Sequence, residues 1–162
     1  GFDLGNSPNE YSNHNLKGKK MVLTTTNGTK AINIAKQDHF VVTGSFLNLN
    51  ALTSFLVKVD KGIIILCAGW KNDYCLEDTL FAGALAEELI KNDKFYYDND
   101  STASSLMLYQ KAKDNLFDFL KDSQHRKRLA HLGIEKDVRY CLELNKSEVV
   151  PILKDNVLIS HL

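Results

Sequence analysis

The stretch LTTTNGTKAI, Leu23 to Ile32, decides how the rest of the chain is read. An apolar run ends in three threonines, passes through Asn27-Gly28-Thr29 and resumes as Lys30-Ala31-Ile32. Asn-Gly between apolar runs is a strong short-range signal for a β-hairpin. The residues that follow favour a different outcome, because Ala31, Ile32, Ile34 and Ala35 form an apolar stripe near helical spacing. A strand over 21–26, a turn on Asn27-Gly28 and then a helix is the reading taken here. Such a junction gathers hydroxyls and unpaired N–H groups at a helix N-terminus, which suits a phosphate or sulfonate. Thr24, Thr25, Thr26, Asn27 and Thr29 are its side-chain donors, with Gly28 between them. The same letters also serve a β-branched strand whose Asn-Gly-Thr merely caps a helix. The residues alone leave both readings open.

Working outward, strands and helices alternate. FVVTGSF (40–46) reads as a second strand, and NLNALTSFLVKV as a helix with Asn48 as N-cap and Leu49, Leu52 and Leu56 on one face. GIIILCA (62–68) is apolar on both faces, as in the buried centre of a parallel sheet. LEDTLFAGALAEELIKN is a long helix with acids in its first turn and lysine in its last. Beyond the polar break YYDNDS, TASSLMLYQKAKDNLFDFLKDS reads as one further helix, followed by two shorter ones in HRKRLAHLG and EKDVRYCLEL. VVPILKDNVLIS closes the chain as one or two strands, with Pro151 pointing to an edge. This order predicts a single α/β unit over 1–162. Its expected architecture is a three-layer α/β/α fold with a mainly parallel sheet and a helical C-terminal part ending in one or two strands.

Composition narrows the function. Lys+Arg and Asp+Glu are 20 each, and a net charge of zero argues against a nucleic-acid partner. The longest apolar run, GIIILCAG, is too short to span a bilayer, so no membrane role is expected. Cys67, Cys75 and Cys141 are odd in number and lack Cys-x-x-Cys spacing, which fits a reduced, cytoplasmic setting with the thiols as small core residues.

In open α/β sheets, ligands sit beyond the carboxyl ends of the strands. Three segments fall there. Thr24–Thr29 is the first, and GSFLN (44–48), with Ser45, follows the same logic more weakly. The third is CAGWKNDYCLED (67–78), where small Ala68-Gly69 let a ligand approach the backbone and Glu77-Asp78 open the next helix. Hard carboxylate oxygens there suit Mg²⁺, which takes one or two carboxylates, waters and substrate phosphate oxygens. Acids in a first turn also stabilise the helix dipole with no ligand present. GFDLGNSP offers Asp3, Asn6 and Ser7 around a tight polar turn, and SQHRKRLAHLG sets His125 in a basic cluster that could be a solvated helix face or reach an anionic site. No zinc pattern, nucleophile elbow or Walker loop is present.

Taken in order, GFDLGNSPNEY, VLTTTNGTKAI, GSFLN, CAG…LEDTLFAGA and SQH…G resemble the 2-phosphosulfolactate phosphatases, magnesium-dependent enzymes named for a step of coenzyme M biosynthesis. The resemblance runs over nearly the whole chain. It implies hydrolysis of a phosphate monoester, 2-phosphosulfolactate, to 3-sulfolactate and phosphate. In that setting Asn6, Ser7, Thr24, Thr25, Thr26, Asn27, Gly28, Thr29, Ser45 and Gly69 would contact a small phosphorylated or sulfonated acid. Glu77 and Asp78 would hold Mg²⁺, Asp78 and His125 would serve the chemistry, and His125 would protonate the leaving oxygen. Family chains are longer at the N-terminus, so this chain is expected to be the C-terminal portion of a longer phosphatase. It would then form a homo-oligomer or pair with the missing N-terminal segment. The competing expectation is a non-catalytic, small-anion-binding fragment. Three positions depart from the family pattern: Asn72 stands for a usual glycine, Cys75 for serine and Arg126 for glycine. Asn72 can adopt a left-handed turn, Cys75 replaces a hydroxyl by a weaker donor, and Arg126 would crowd or recharge the site.

Overall fold

A computed structural model describes residues 3–12, 14–37 and 40–161. It shows a mixed helix and strand protein built around helices. In chain order these are α1 (Pro8–Ser12), α2 (Gly28–Ala35), α3 (Leu49–Val59), α4 (Leu76–Ile90), α5 (Asp100–Ala112), α6 (Leu116–Phe119), α7 (Gln124–Leu129) and α8 (Glu135–Cys141). Short 3₁₀ turns, Phe46–Asn48 and Ala130–Leu132, lead into α3 and follow α7. Two strands, β1 (Val150–Lys154) and β2 (Val157–His161), close the chain as an antiparallel hairpin, with Val150 opposite His161 and Lys154 opposite Val157. Asp155 and Asn156, both at positive φ, make its turn, where an aspartate–asparagine pair is well suited.

The core forms where α3, α4 and α5 meet β1. Leu49, Leu52 and Leu56 are buried on the α3 face that the sequence pattern marks. They pack with Leu80, Leu85 and Leu89 of α4, Tyr109 and Ala112 of α5, Leu116, Leu120 and Ile152. The run Ala82-Gly83-Ala84 lets α5 lie against α4, and a Cβ built on Gly83 would sit 2.1 Å from the Ser105 carbonyl oxygen. Asn48 fixes the entry to α3. Its Oδ1 accepts from the Ser45 N–H at 2.8 Å, and its Nδ2 donates to the Val149 carbonyl at 2.9 Å.

Three expectations change. The stretch 102–123 is not one helix: α5 ends at Ala112 and the chain restarts at α6, where the Asn115 Oδ1 accepts from the Asp118 N–H at 3.0 Å. Asparagine favours such a cap over a helix interior. The second concerns the sheet. Among the described residues the only ladder is the β1–β2 hairpin, extended on its other edge by a single antiparallel bridge, Val42 to Ile152. The Val41 carbonyl accepts from Leu153 at 2.9 Å and Thr43 donates to the Pro151 carbonyl at 3.0 Å. Segments 21–24 and 62–68 run as chain with no helix, turn or ladder. GIIILCA is covered on one side only: Ile63 and Ile65 pack on the core, whereas Ile64 is 79% and Leu66 49% exposed. The thiols are likewise not core groups, since Cys67 and Cys141 are exposed and Cys75 is half-buried. No described helix is long and apolar enough to cross a membrane.

Candidate anion and metal site

The turn at Leu23–Ile32 is a loop-to-helix junction, with α2 beginning at Gly28. Thr25 and Thr29 cap each other. The Thr25 Oγ1 accepts from the Thr29 N–H and the Thr29 Oγ1 accepts from the Thr25 N–H, both at 3.2 Å. Each hydroxyl then keeps its own hydrogen to donate. Gly28 leaves room for this pair, because an added Cβ would meet the Thr25 Oγ1 at 2.9 Å and disturb the reciprocal cap. The backbone N–H groups of Gly28 and Lys30 make no hydrogen bond among the described residues, as expected in the first turn of a helix. Asn27 is engaged elsewhere: its Oδ1 accepts from the Lys71 N–H at 3.2 Å.

That bond joins the junction to the 67–78 loop. The loop is a tight turn, Trp70 to Asp73, closed by the Asp73 N–H to the Trp70 carbonyl at 2.8 Å and the reverse pair at 3.1 Å. Lys71 and Asn72 at its tip both have positive φ, 53° and 69°. A two-residue turn of that kind favours asparagine or glycine, so Asn72 suits the turn, as expected of a residue that tolerates the left-handed region. Lys30 reaches across from α2 and donates to the Asn72 Oδ1. Gly69, φ 68°, cannot carry a side chain, since a Cβ would fall 2.7 Å from the Asp73 carbonyl oxygen.

The two carboxylates are held differently. Asp78 Oδ2 accepts from the Gly69 N–H at 2.8 Å and so pins the loop to the start of α4. Glu77 Oε1 accepts from the Ser123 hydroxyl at 2.6 Å, and its Oε2 from the Cys75 thiol at 3.4 Å. Ser123 is buried, and its Oγ also accepts from the Arg126 N–H at 3.3 Å as the N-cap of α7. One serine therefore couples Glu77 to the helix that carries His125. Among the described residues no three His, Cys, Asp or Glu side chains gather into a metal cage. Asp78 Oδ1 has no hydrogen-bond partner among them, whereas both oxygens of Glu77, the preceding residue, are engaged by Ser123 and Cys75. A largely hydrated Mg²⁺ needs only one or two protein carboxylates, and the open Asp78 oxygen is the donor available to it.

Burial, followed by the charges of Asp78 and Glu77 and the hydrogen bond to Glu77, pushes the Cys75 thiol up to about 12; a backbone hydrogen bond at Asp78 opposes this. Although the residue is exposed, partial desolvation of its sulfur, followed by the charge of Asp78, also raises Cys67. Thiolate is the nucleophilic form, so neither cysteine is armed at neutral pH. Cys75 is expected to resist iodoacetamide at pH 8–9 in the folded protein and to react in urea, as peptide mass spectrometry would show. Equal rates in both would contradict the raised thiol. A thiol raised on folding contributes stability in full below its unfolded value near 8.5. That contribution is lost as pH climbs toward 12.

His125 sits on the first turn of α7. Arg128 donates to its Nδ1 at 3.1 Å, and arginine cannot accept, so the ring proton lies on Nε2. Arg128 also stacks on Trp70, its guanidinium carbon 3.7 Å from the ring centroid, with the Lys71 ammonium 5.7 Å from the same centroid. Arg126 points away from this region. It donates to the Phe117 carbonyl at 2.8 Å and stacks 3.9 Å from the Phe117 ring, which Arg139 also meets, at 3.5 Å. The crowding expected of Arg126 is thus absent.

Thr24–Thr29, Gly69, Glu77, Asp78 and His125 are linked through Asn27–Lys71, Asp78–Gly69, Ser123 and Arg128–Trp70. Asn6, Ser7 and Ser45 are not joined to them by any hydrogen bond among the described residues. The Asn6-Ser7 turn leads into α1, where the Gly5 N–H donates to Glu10 and Asn9 donates to Asp137 of α8. The first two residues of GFDLGNSP lie outside the described residues. Lys30, Trp70 and Ser123 escaped the sequence reading, whereas Arg128 fell within its basic cluster without a role. Of the three that escaped, only Ser123 carried a signal, as the first residue of SQH.

The start of α2, with its threonine hydroxyls and open N–H groups, is thus tied through Asn27 and Lys71 to the loop that Asp78 anchors. The comparisons give the chain a family. The model of the 2-phosphosulpholactate phosphatase family matches residues 1–156, and the chain belongs to that family. It is 39% identical over 159 residues to a probable 2-phosphosulfolactate phosphatase of Thermotoga petrophila, covering 98% of this chain and 67% of the relative. A probable 2-phosphosulfolactate phosphatase of Caldanaerobacter subterraneus subsp. tengcongensis is 38% identical over 157 residues, 97% of this chain and 65% of its own. One from Picosynechococcus is 37% identical over 153 residues, 94% and 63%. The chain spans about two thirds of the length of the curated relatives it matches.

Proposed function

We propose that this chain holds substrate and metal in an Mg²⁺-dependent phosphatase that hydrolyses 2-phosphosulfolactate to 3-sulfolactate and phosphate. The observation that carries the reading is the Asn27–Lys71 bond, which sets the open N–H groups of α2 against the loop anchored by Asp78. The hydroxyl hydrogens of Thr25 and Thr29, with Thr24, Thr26 and the N–H groups of Gly28 and Lys30, bind an anionic end of the substrate. Asp78, with Glu77 beside it, holds the ion. When bound, Mg²⁺ neutralises phosphoryl charge and orients water. In the hydrolysis a water oxygen would bond to phosphorus as the ester P–O bond breaks, one water proton going to the released alkoxide oxygen and the rest of the water staying on the phosphate. His125 offers its Nε2–H to that oxygen as a hydrogen bond. As general acid it would need both ring nitrogens protonated, which requires Arg128 to release Nδ1. A parallel three-layer sheet, a cytoplasmic setting and an oligomeric or two-part assembly belong to this same reading.

The test is phosphate release from 2-phosphosulfolactate by this chain, with Mg²⁺ and with EDTA. Release that EDTA abolishes is the expected result, and release indifferent to EDTA overturns the metal. Thr26→Val is expected to raise KM several-fold with kcat little changed, since it removes a ground-state contact. An unchanged KM would remove Thr26 from the cradle.

A further inference from the structure

A cavity of 280 Å³ lies between the end of α6, α7 and the start of α8, among side chains that the proposed reaction does not use. Lys121, Arg126, Lys127 and Glu135 are its charged lining, and Ile134 and Val138 give it an apolar wall. Three cations thus share one carboxylate, and that carboxylate is taken. Glu135 Oε1 accepts from the Nε and Nη2 of Arg139, at 3.2 and 2.8 Å. Arg126 has no carboxylate partner among the described residues. Its Nη1 donates to the Phe117 carbonyl, and its Nε and Nη2 make no hydrogen bond among them. Lys121 and Lys127 meet only Asp118 and Asp122, each at 3.5 Å with both partners exposed. Exposed pairs of that kind hold a side chain weakly.

The guanidiniums add a second observation. Arg126 and Arg139 are stacked on one ring, their central carbons 3.9 and 3.5 Å from the Phe117 centroid. The ring attracts both cations, but like charges at that spacing repel each other. An anion beside Arg126 offsets this repulsion, and its Nε–Nη2 edge is the fork that carboxylate and phosphate groups fit.

We infer that this cavity binds a small organic dianion, two anionic groups on a short carbon chain, apart from the Thr25–Asp78 region. One group meets Arg126 and the other the ammoniums of Lys121 and Lys127, while the carbon chain lies on Ile134 and Val138. The volume falls just under the range of roughly 300–1,000 Å³ usual for ligand sites, which keeps the ligand small.

The experiment is residue-resolved NMR titration of this chain, at fixed ionic strength, with succinate, with butyrate and with inorganic phosphate. Butyrate has the same carbon chain and one carboxylate fewer, and phosphate has charge without the chain. Expected are saturable shifts across 121–138 with succinate. Either control should bind more weakly by roughly ten-fold, the scale of one charge-assisted hydrogen bond. No saturable shift across 121–138, or shifts confined to 23–30 and 67–78, overturns the inference. So does a control that binds as tightly as succinate. Lys127→Gln, at an exposed position, should keep the melting temperature and weaken succinate several-fold. Glu135→Gln should tighten succinate, because the cavity loses its one negative charge. Unchanged binding in the first variant, or weaker binding in the second, counts against the proposal. None of these readouts depends on phosphatase activity.

Discussion

Gly83→Ala is expected to destabilise the protein by about 2 kcal/mol or more, although alanine is the better helix former. In an exposed helix the change would gain up to about 1 kcal/mol. Here the new Cβ would stand 2.1 Å from the Ser105 carbonyl oxygen, 2.6 Å from its carbon and 2.8 Å from the Tyr109 Cβ. These are backbone atoms and the base of a buried side chain, so no terminal rotamer can relieve the clash. α5 would have to move off α4, and with it Tyr109 and Ala112 from the core. Urea unfolding decides the matter: a midpoint equal to or above the parent's would mean that α5 slides at little cost.

Asp78→Asn is expected to reduce Mg²⁺-dependent turnover by roughly 100-fold or more, the scale on which removal of one electrostatic group in a site acts. Asparagine can still accept from the Gly69 N–H, so the loop should keep its shape and the loss would report charge. Two readouts separate this from misfolding. Mg²⁺ affinity measured by calorimetry should fall, and Cys75 should become alkylatable at lower pH, because the Asp78 charge is one of the causes of its raised thiol. Unchanged Mg²⁺ affinity with intact folding would remove Asp78 from the metal site.

The helical part of the fold was written plainly in the sequence. Leu49, Leu52 and Leu56 marked the buried face of α3, and the acids of Glu77-Asp78 marked the start of α4. Both follow from local periodicity and helix-end electrostatics, which need no distant partner. The break at Asn115 was missed because apolar spacing continues through it while the cap competes locally. The site was half legible. TTTNGT announced a helix N-terminus, yet nothing in it foretold that Thr25 and Thr29 cap each other or that Asn27 would be used by Lys71.

By itself, then, the sequence determined α3, α4, the choice of a turn into a helix over a hairpin at Asn27-Gly28, and the family, because these rest on short-range pattern and on ordered motifs. Only the tertiary structure decided that Ser123 holds Glu77 across 46 positions, that Arg128 stacks on Trp70, that Arg126 turns to Phe117, and that 62–68 is covered on one face. A serine or an arginine has no periodicity to betray its partner. Likewise a β-branched run reads the same whether or not strands lie beside it, since pairing belongs to the neighbours and not to the strand.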